Sequence, residues 1–148
     1  MSELPRIATS YKRKPSLRSG NVDAQYESRK QILIVEDDLI LALLLEKKIQ
    51  QMGYAVSAIV SKGNEAVRII REKKPDLVLM DIKLSEDMDG VEAITQIRDF
   101  TDVPVLYLTG NADETTRRRA HASRPVAYMV KPVDMLLLEK TINEILNC

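Results

Sequence analysis

The chain has 148 residues, 45% of them hydrophobic and 30% charged, with a formal net charge of zero. That balance suits one globular domain with a real core and excludes a disordered chain; no apolar run approaches the roughly 18–20 residues a bilayer span requires. The lone cysteine, Cys148, excludes an internal disulfide, and no apolar signal region opens the chain, so a reducing, cytoplasmic setting is expected.

Zero net charge conceals an asymmetry. Residues 1–30 carry seven Lys/Arg against three Asp/Glu, and the remainder carries fifteen against nineteen. The basic excess centres on SYKRKPSLRSG (10–20), a stretch too poor in apolar residues to fold alone. It reads as a flexible, solvated extension; the competing reading is an arm for nucleic acid or an acidic surface. The expected division is therefore an extension over 1–30 and a domain over 31–148.

From Gln31 the pattern becomes regular. ILIVE (32–36) is an apolar run ending in acid, followed by a leucine-rich helix to about Met52 with Gly53 as its C-terminal cap. YAVSAIV (54–60) is the next strand, and NEAVRIIREKK (64–74) has helical spacing at Ala66, Val67 and Ile70 before Pro75. DLVLMD (76–81) is a strand, and GVEAITQIRDF (90–100) a helix with Val91, Ile94 and Ile97 on one side. VPVLYLT (103–109) and VAYMV (126–130) are the last strands, each followed by a helix, ADETTRRRAHA (112–122) and DMLLLEKTINEIL (134–146). Five strand–helix pairs in strict alternation, with strands that are continuous apolar runs, predict a doubly wound α/β domain on a parallel sheet.

In such a sheet the carboxyl ends of the strands share one edge, where ligands bind. This sequence places Glu36, Asp37 and Asp38 after the first strand and Asp81 at the end of the third. Thr109 ends the fourth, and Lys131 with Pro132 follows the fifth. Clustered carboxylates repel unless a cation is near, and an open site of this kind suits Mg²⁺. With the point charge of Lys131 and the hydroxyl of Thr109, the edge resembles a phosphoryl cradle in which Asp81 is the natural acceptor. Singly, an Asp at a strand end is a helix cap or turn former, and a Thr or Lys-Pro is equally ordinary. Their convergence carries the reading.

These residues resemble the receiver domain of two-component response regulators, over essentially all of 31–147. The family's acidic pair matches Glu36 and Asp37 in VEDD, its phosphoacceptor Asp81 in LVLMD, and its hydroxyl residue Thr109 in LYLTG. Its lysine matches Lys131 in YMVKP, and its switch aromatic matches Tyr128, three residues earlier. The resemblance implies a flavodoxin-like (βα)5 fold with strand order 2-1-3-4-5 and a Lys-Pro bond that is commonly cis. It implies phosphoryl transfer to Asp81 from a histidine kinase or histidine phosphotransfer protein. Mg²⁺ would be held by Asp37, Asp81 and the backbone carbonyl of Lys83, with Glu36 assisting through water. Asp38 is either a substitute ligand or, from its place at the helix start, an N-cap. Thr109 and Lys131 would contact the phosphoryl oxygens, and Thr109 and Tyr128 would move in the switch.

Two departures stand out. Ser85 occupies a position where many receivers have proline, and Gly90 lies nine residues after Asp81 instead of eight, so the loop KLSEDMDG is longer and acidic. Lys83 and Asn111 occupy the positions that in the family help set the lifetime of the aspartyl phosphate. Lys83 either shields the phosphate or points to solvent. Glu86, Asp87 and Asp89 read as rim residues.

Further faces are legible. In the first helix Leu41, Leu44, Leu45, Ile49 and Met52 form a core stripe, leaving Leu39 and Leu43 either to dock a kinase or to pack on the tail or a loop. In the last helix Leu138, Ile142 and Ile145 serve the core, with Leu136 or Leu137 surplus and available for a homodimer. Arg117–Arg119 read as a solvated surface, and His121 as a bystander.

The expected protein is a stand-alone receiver signalling to a downstream protein target, with no nucleic acid or membrane partner and at most slow autophosphatase activity. A fragment of a larger regulator or hybrid kinase is the variant reading. An aspartate-nucleophile phosphatase resembling the haloacid dehalogenase family needs a second acid where Lys83 stands. A nucleotide-binding module needs a glycine-rich loop where EDDLIL offers acids.

Overall fold

The structure, a computed structural model, describes residues 28–84, 88–110 and 113–147. The basic stretch 10–20, together with Ser85, Glu86, Asp87, Asn111 and Cys148, lies outside the described residues. Among the described residues, five strands alternate with five helices: β1 (Gln31–Val35), α1 (Leu39–Gln51), β2 (Ala55–Val60), α2 (Gly63–Lys73), β3 (Leu77–Asp81), α3 (Gly90–Ile97), β4 (Val105–Thr109), α4 (Glu114–Ala122), β5 (Ala127–Val130) and α5 (Met135–Leu146). The strands form one sheet in the order β2-β1-β3-β4-β5, and every neighbouring pair is parallel. The expected order and alternation both hold.

The inner strands β1, β3 and β4, covered on both faces, bury nearly every side chain, which is why they read as unbroken apolar runs. Alternate residues then serve two separate cores. Leu33, Val35, Val78, Met80, Val105 and Tyr107 point to the face covered by α2, α3 and α4. Ile32, Ile34, Leu77, Leu79, Leu106 and Leu108 point to the face covered by α1 and α5. The expected core residues Val91, Ile94, Ile97, Leu138 and Ile142 are all buried.

Helix ends follow local chemistry. Gly53, at φ 93°, takes the left-handed conformation that closes α1. Its N–H reaches the Gln50 carbonyl at 3.0 Å, and the Tyr54 N–H reaches that of Ile49 at 3.2 Å, as in a Schellman motif. Asp38, Asp89, Asp113 and Asp134 cap α1, α3, α4 and α5 with their side chains.

One helix phase is corrected. Leu44, expected in the core stripe of α1, is 52% exposed. The buried positions are Ala42, Leu45 and Ile49, spaced i, i+3 and i+7 on one face, and at 100° per residue Leu44 falls on the opposite side. Leu39, Ile40 and Leu43 are exposed beside it. On α5 both Leu136 and Leu137 are exposed.

Candidate functional site

The sheet brings the predicted residues to one edge. Asp81 ends β3, between the ends of β1 and β4, and is only 3% exposed. Glu36 directly follows β1 and is 2% exposed, while Asp37 beside it is exposed. Carboxylate oxygens of Glu36, Asp37 and Asp81 all lie within 4.8 Å of one another. Lys131 enters from the end of β5, its Nζ 2.9 Å from Glu36 Oε1 and 3.2 Å from Asp81 Oδ2. Its backbone N–H donates to the Thr109 carbonyl at 2.7 Å, and the Lys131–Pro132 bond is cis.

Backbone donors orient the carboxylates. The Lys83 N–H donates to Asp81 Oδ1 at 3.1 Å, and the Asp38 N–H donates to Glu36 Oε2 at 3.0 Å. Asp38 itself accepts from the N–H groups of Ile40 and Leu41, so it is a cap, the second of the two roles left open. Gly90 is required by close approach: a β-carbon there would press into the Asp81 carbonyl oxygen and stand 2.9 Å from Met80 Cγ. That glycine lets the loop leaving Asp81 fold back onto β3, where the Gly90 N–H meets the Ile82 carbonyl at 2.8 Å.

Burial pushes the Asp81 carboxyl up to about 7, and the neighbouring charge and hydrogen bond of Glu36 add to it, against the opposing pull of Lys131. Burial draws the Lys131 ammonium down, but Glu36 and Asp81 outweigh it and leave it above its usual range. Two buried acids with one lysine still carry excess negative charge, and the exposed Asp37 adds more. This donor set, all hard oxygens open on one side, fits a divalent cation of the Mg²⁺ type.

Thr109, at the end of β4, is buried beside the site. Tyr128 is 41% exposed on β5. It is in register with Tyr107, so both stand on the sheet face that α4 covers. The Lys83 side chain is exposed, and its charge is felt at Asp113 across the rim; there, hydrogen bonds to Thr116 already hold the carboxyl below its usual range.

Two features escaped the sequence reading. Asp89 is more than a rim acid, because it caps α3 in a reciprocal pair with Glu92 and takes an ion pair from Arg119 at 3.1 Å. Arg119, read as part of a solvated surface, is half-exposed and ion-paired. Arg98 carries no signal in the sequence, yet its guanidinium donates to the carbonyls of Ser123, Thr101, Val103 and Arg124. The cap had a local signal in the spacing of Asp89 and Glu92, but the other contacts had none: the ion pair joins residues thirty apart in sequence, and the clamp reaches carbonyls up to twenty-six residues away.

Comparison with known proteins converges on one family. A family model described as the response regulator receiver domain matches residues 32–143. The chain is 37% identical over 116 residues to the transcriptional regulatory protein ZraR of Klebsiella oxytoca, covering 78% of this chain and 26% of that protein. It is 32% identical over 110 residues to the transcriptional regulatory protein PdtaR of Mycobacterium tuberculosis, covering 74% and 53%. The chain thus spans about a quarter to a half of the length of these curated relatives. Among solved structures, the signal receiver domain of a modulated diguanylate cyclase from Desulfovibrio desulfuricans superposes with a TM-score of 0.75 at 32% identity, covering 81% of this chain and 95% of that one. The receiver domain of the sensor histidine kinase PA1611 from Pseudomonas aeruginosa, which holds a magnesium ion in its active site cleft, superposes at 0.73 with 28% identity, covering 82% and 100%.

Proposed function

The chain belongs to the response regulator receiver domain family, and on that premise we propose that it accepts a phosphoryl group on Asp81 from a histidine kinase or histidine phosphotransfer protein. The observation that carries this reading is the edge itself: Asp81 buried at the tip of β3, ion-paired to Lys131, with Glu36 and Asp37 oxygens within 4.8 Å. An Asp81 carboxylate oxygen attacks phosphorus, the bond from phosphorus to the donor histidine nitrogen breaks, and that nitrogen keeps the electron pair. With the donor ring protonated on its other nitrogen, the products are an acyl phosphate and a neutral imidazole.

Each residue has a part in this. Asp37, Asp81 and the Lys83 carbonyl would hold Mg²⁺, with Glu36 acting through water; the ion offsets the negative charge of the acids and the incoming phosphoryl. Lys131 keeps Asp81 available as a carboxylate against burial and then meets a phosphoryl oxygen, and the Thr109 hydroxyl meets another. The rigid backbone contacts of Asp81 and Lys131 keep that geometry ready before the donor arrives.

The protein is a switch rather than an enzyme of turnover, with at most slow autophosphatase activity. An acid two residues after the nucleophile is what a phosphatase would use, and the exposed Lys83 stands there. Phosphorylation would draw Thr109 and Tyr128 inward and shift a pre-existing equilibrium toward a downstream protein target. The exposed Leu39, Ile40 and Leu43 at the site end of α1 support docking of the phosphodonor there. The setting is cytoplasmic in this reading; among the described residues no helix is long and apolar enough to cross a membrane. The chemistry at Asp81 is the same in a stand-alone receiver and in a longer regulator.

The test is incubation with acetyl phosphate and Mg²⁺, followed by intact mass. One phosphoryl adduct, lost in Asp81→Asn and on chelation of the metal, is the expected result. Continuous phosphate release without a trapped adduct points instead to a phosphatase.

A further inference from the structure

The contact between Asp89 and Arg119 links two parts of the molecule that the sequence keeps thirty residues apart. Arg119 Nη2 lies 3.2 Å and 3.1 Å from the two carboxylate oxygens of Asp89, and both side chains are half-buried. Asp89 is fixed at the same time by its capping pair: it accepts the Glu92 N–H at 2.8 Å, and its own N–H donates to Glu92 Oε1 at 2.9 Å. Gly90, the next residue, is seated against the carbonyl of Asp81. The path from phosphoacceptor to α4 is therefore Asp81, Gly90, Asp89 and Arg119, each in direct contact with the next.

α4 needs such a tie. Its one buried residue is Ala120, and the Glu114–Arg118 pair lies within the helix and holds it to nothing else. Its far end is held through Ser123, whose hydroxyl bonds to buried Tyr107 at 2.6 Å. Arg119 ties the middle of the helix to the phosphoacceptor loop. Tyr128, the register partner of Tyr107, stands on this same sheet face, with its side chain still exposed.

We infer that the Asp89–Arg119 ion pair is a positioning device that couples the phosphoacceptor loop to α4 and thereby sets the resting balance of the Tyr128 switch. The inference rests on the receiver reading above. With the pair closed, α4 is held and Tyr128 stays outward, as it stands here. Opening the pair frees α4 to make room, and a shift of the loop at Asp81 is passed to α4 through the same contact.

The chain contains no tryptophan, so Tyr128→Trp supplies a single indole reporter. In that background the comparison is Asp89→Asn, Arg119→Gln and the two combined. Asn retains an oxygen to cap α3, which separates loss of the ion pair from loss of the cap. Each single change is expected to reduce acrylamide quenching of the indole in the resting protein and to raise the rate of acetyl phosphate labelling by about threefold, the scale of one half-exposed ion pair. The double variant should do no more than either single, and Arg119→Lys should recover part of the parent behaviour. Unchanged quenching in the singles, or effects that add in the double, overturns the coupling. Quenching needs no phosphoryl group, so it decides the matter by itself; failure of the parent to take any adduct counts against the receiver reading instead.

Discussion

Replacing Asp81 by asparagine should make the protein more stable, and more so as pH rises. The carboxyl is raised from its ordinary 3.8 to about 7 by burial first, then by Glu36. The native state therefore holds a proton that the unfolded chain releases anywhere between those values. Because the unfolded state binds fewer protons in that window, stability falls as pH climbs through it. At 1.36 kcal/mol per unit, the roughly three-unit gap corresponds to at most about 4 kcal/mol of destabilisation above pH 7. Below pH 3.8 it is absent. Between pH 5 and pH 8 the linkage relation leaves about 3 kcal/mol of this to develop. The assay is urea unfolding of wild type and Asp81→Asn at both pH values, with a chelator present. Titrating groups away from Glu36 and Lys131 cancel in the difference, which should widen by about 3 kcal/mol in favour of the variant. Mg²⁺ should then close part of the gap by stabilising the wild type alone. A difference that stays flat or narrows between pH 5 and pH 8 would refute the assignment of a strained, buried carboxylate at Asp81.

Other substitutions probe the supports of the site. Gly90→Ala drives a β-carbon into the Asp81 carbonyl and should cost about 1–3 kcal/mol in thermal or urea unfolding, with slower acetyl phosphate labelling; a neutral result would remove the close-approach argument. Arg98→Ala leaves four carbonyls without their donor and should cost about 2–3 kcal/mol in urea unfolding, whereas a loss under about 0.5 kcal/mol would mean that water replaces the guanidinium freely. Leu43→Lys should leave acetyl phosphate labelling unchanged while slowing transfer from a histidine kinase that labels the wild type; equal transfer rates would dismiss α1 as the docking face.

The periodic part of the sequence was the readable part. Runs such as LVLM and VLYL read as buried strands of a covered parallel sheet whose carboxyl ends share one edge; that Glu36, Asp37, Asp81 and Lys131 meet there also needs the strand order, which the alternation does not give and the family resemblance implied. Capping was readable for the same local reason at Asp38 and Gly53. Leu44 was misplaced because the leucine-rich run 39–45 offers more than one apolar face, and the face that is buried is the one carrying Ala42, Leu45 and Ile49. Arg98 and the Asp89–Arg119 pair were out of reach because polar contacts across twenty-six or thirty residues leave no periodic trace. A half-buried arginine looks like any other charged residue until the carbonyls around it are known.

The shallow seating of α4 has a consequence for where the molecule opens. Helix and strand amides exchange with solvent at a rate set by the cheapest opening that exposes them. β3 is buried along its whole length, so its amides open only with the entire domain. α4 buries a single residue, Ala120, and ties at Arg119 and Ser123 help hold it, so it can lift while the sheet beneath it stays intact. The phosphoryl chemistry thus sits on the last part of the protein to melt, and the surface that would report it sits on the first.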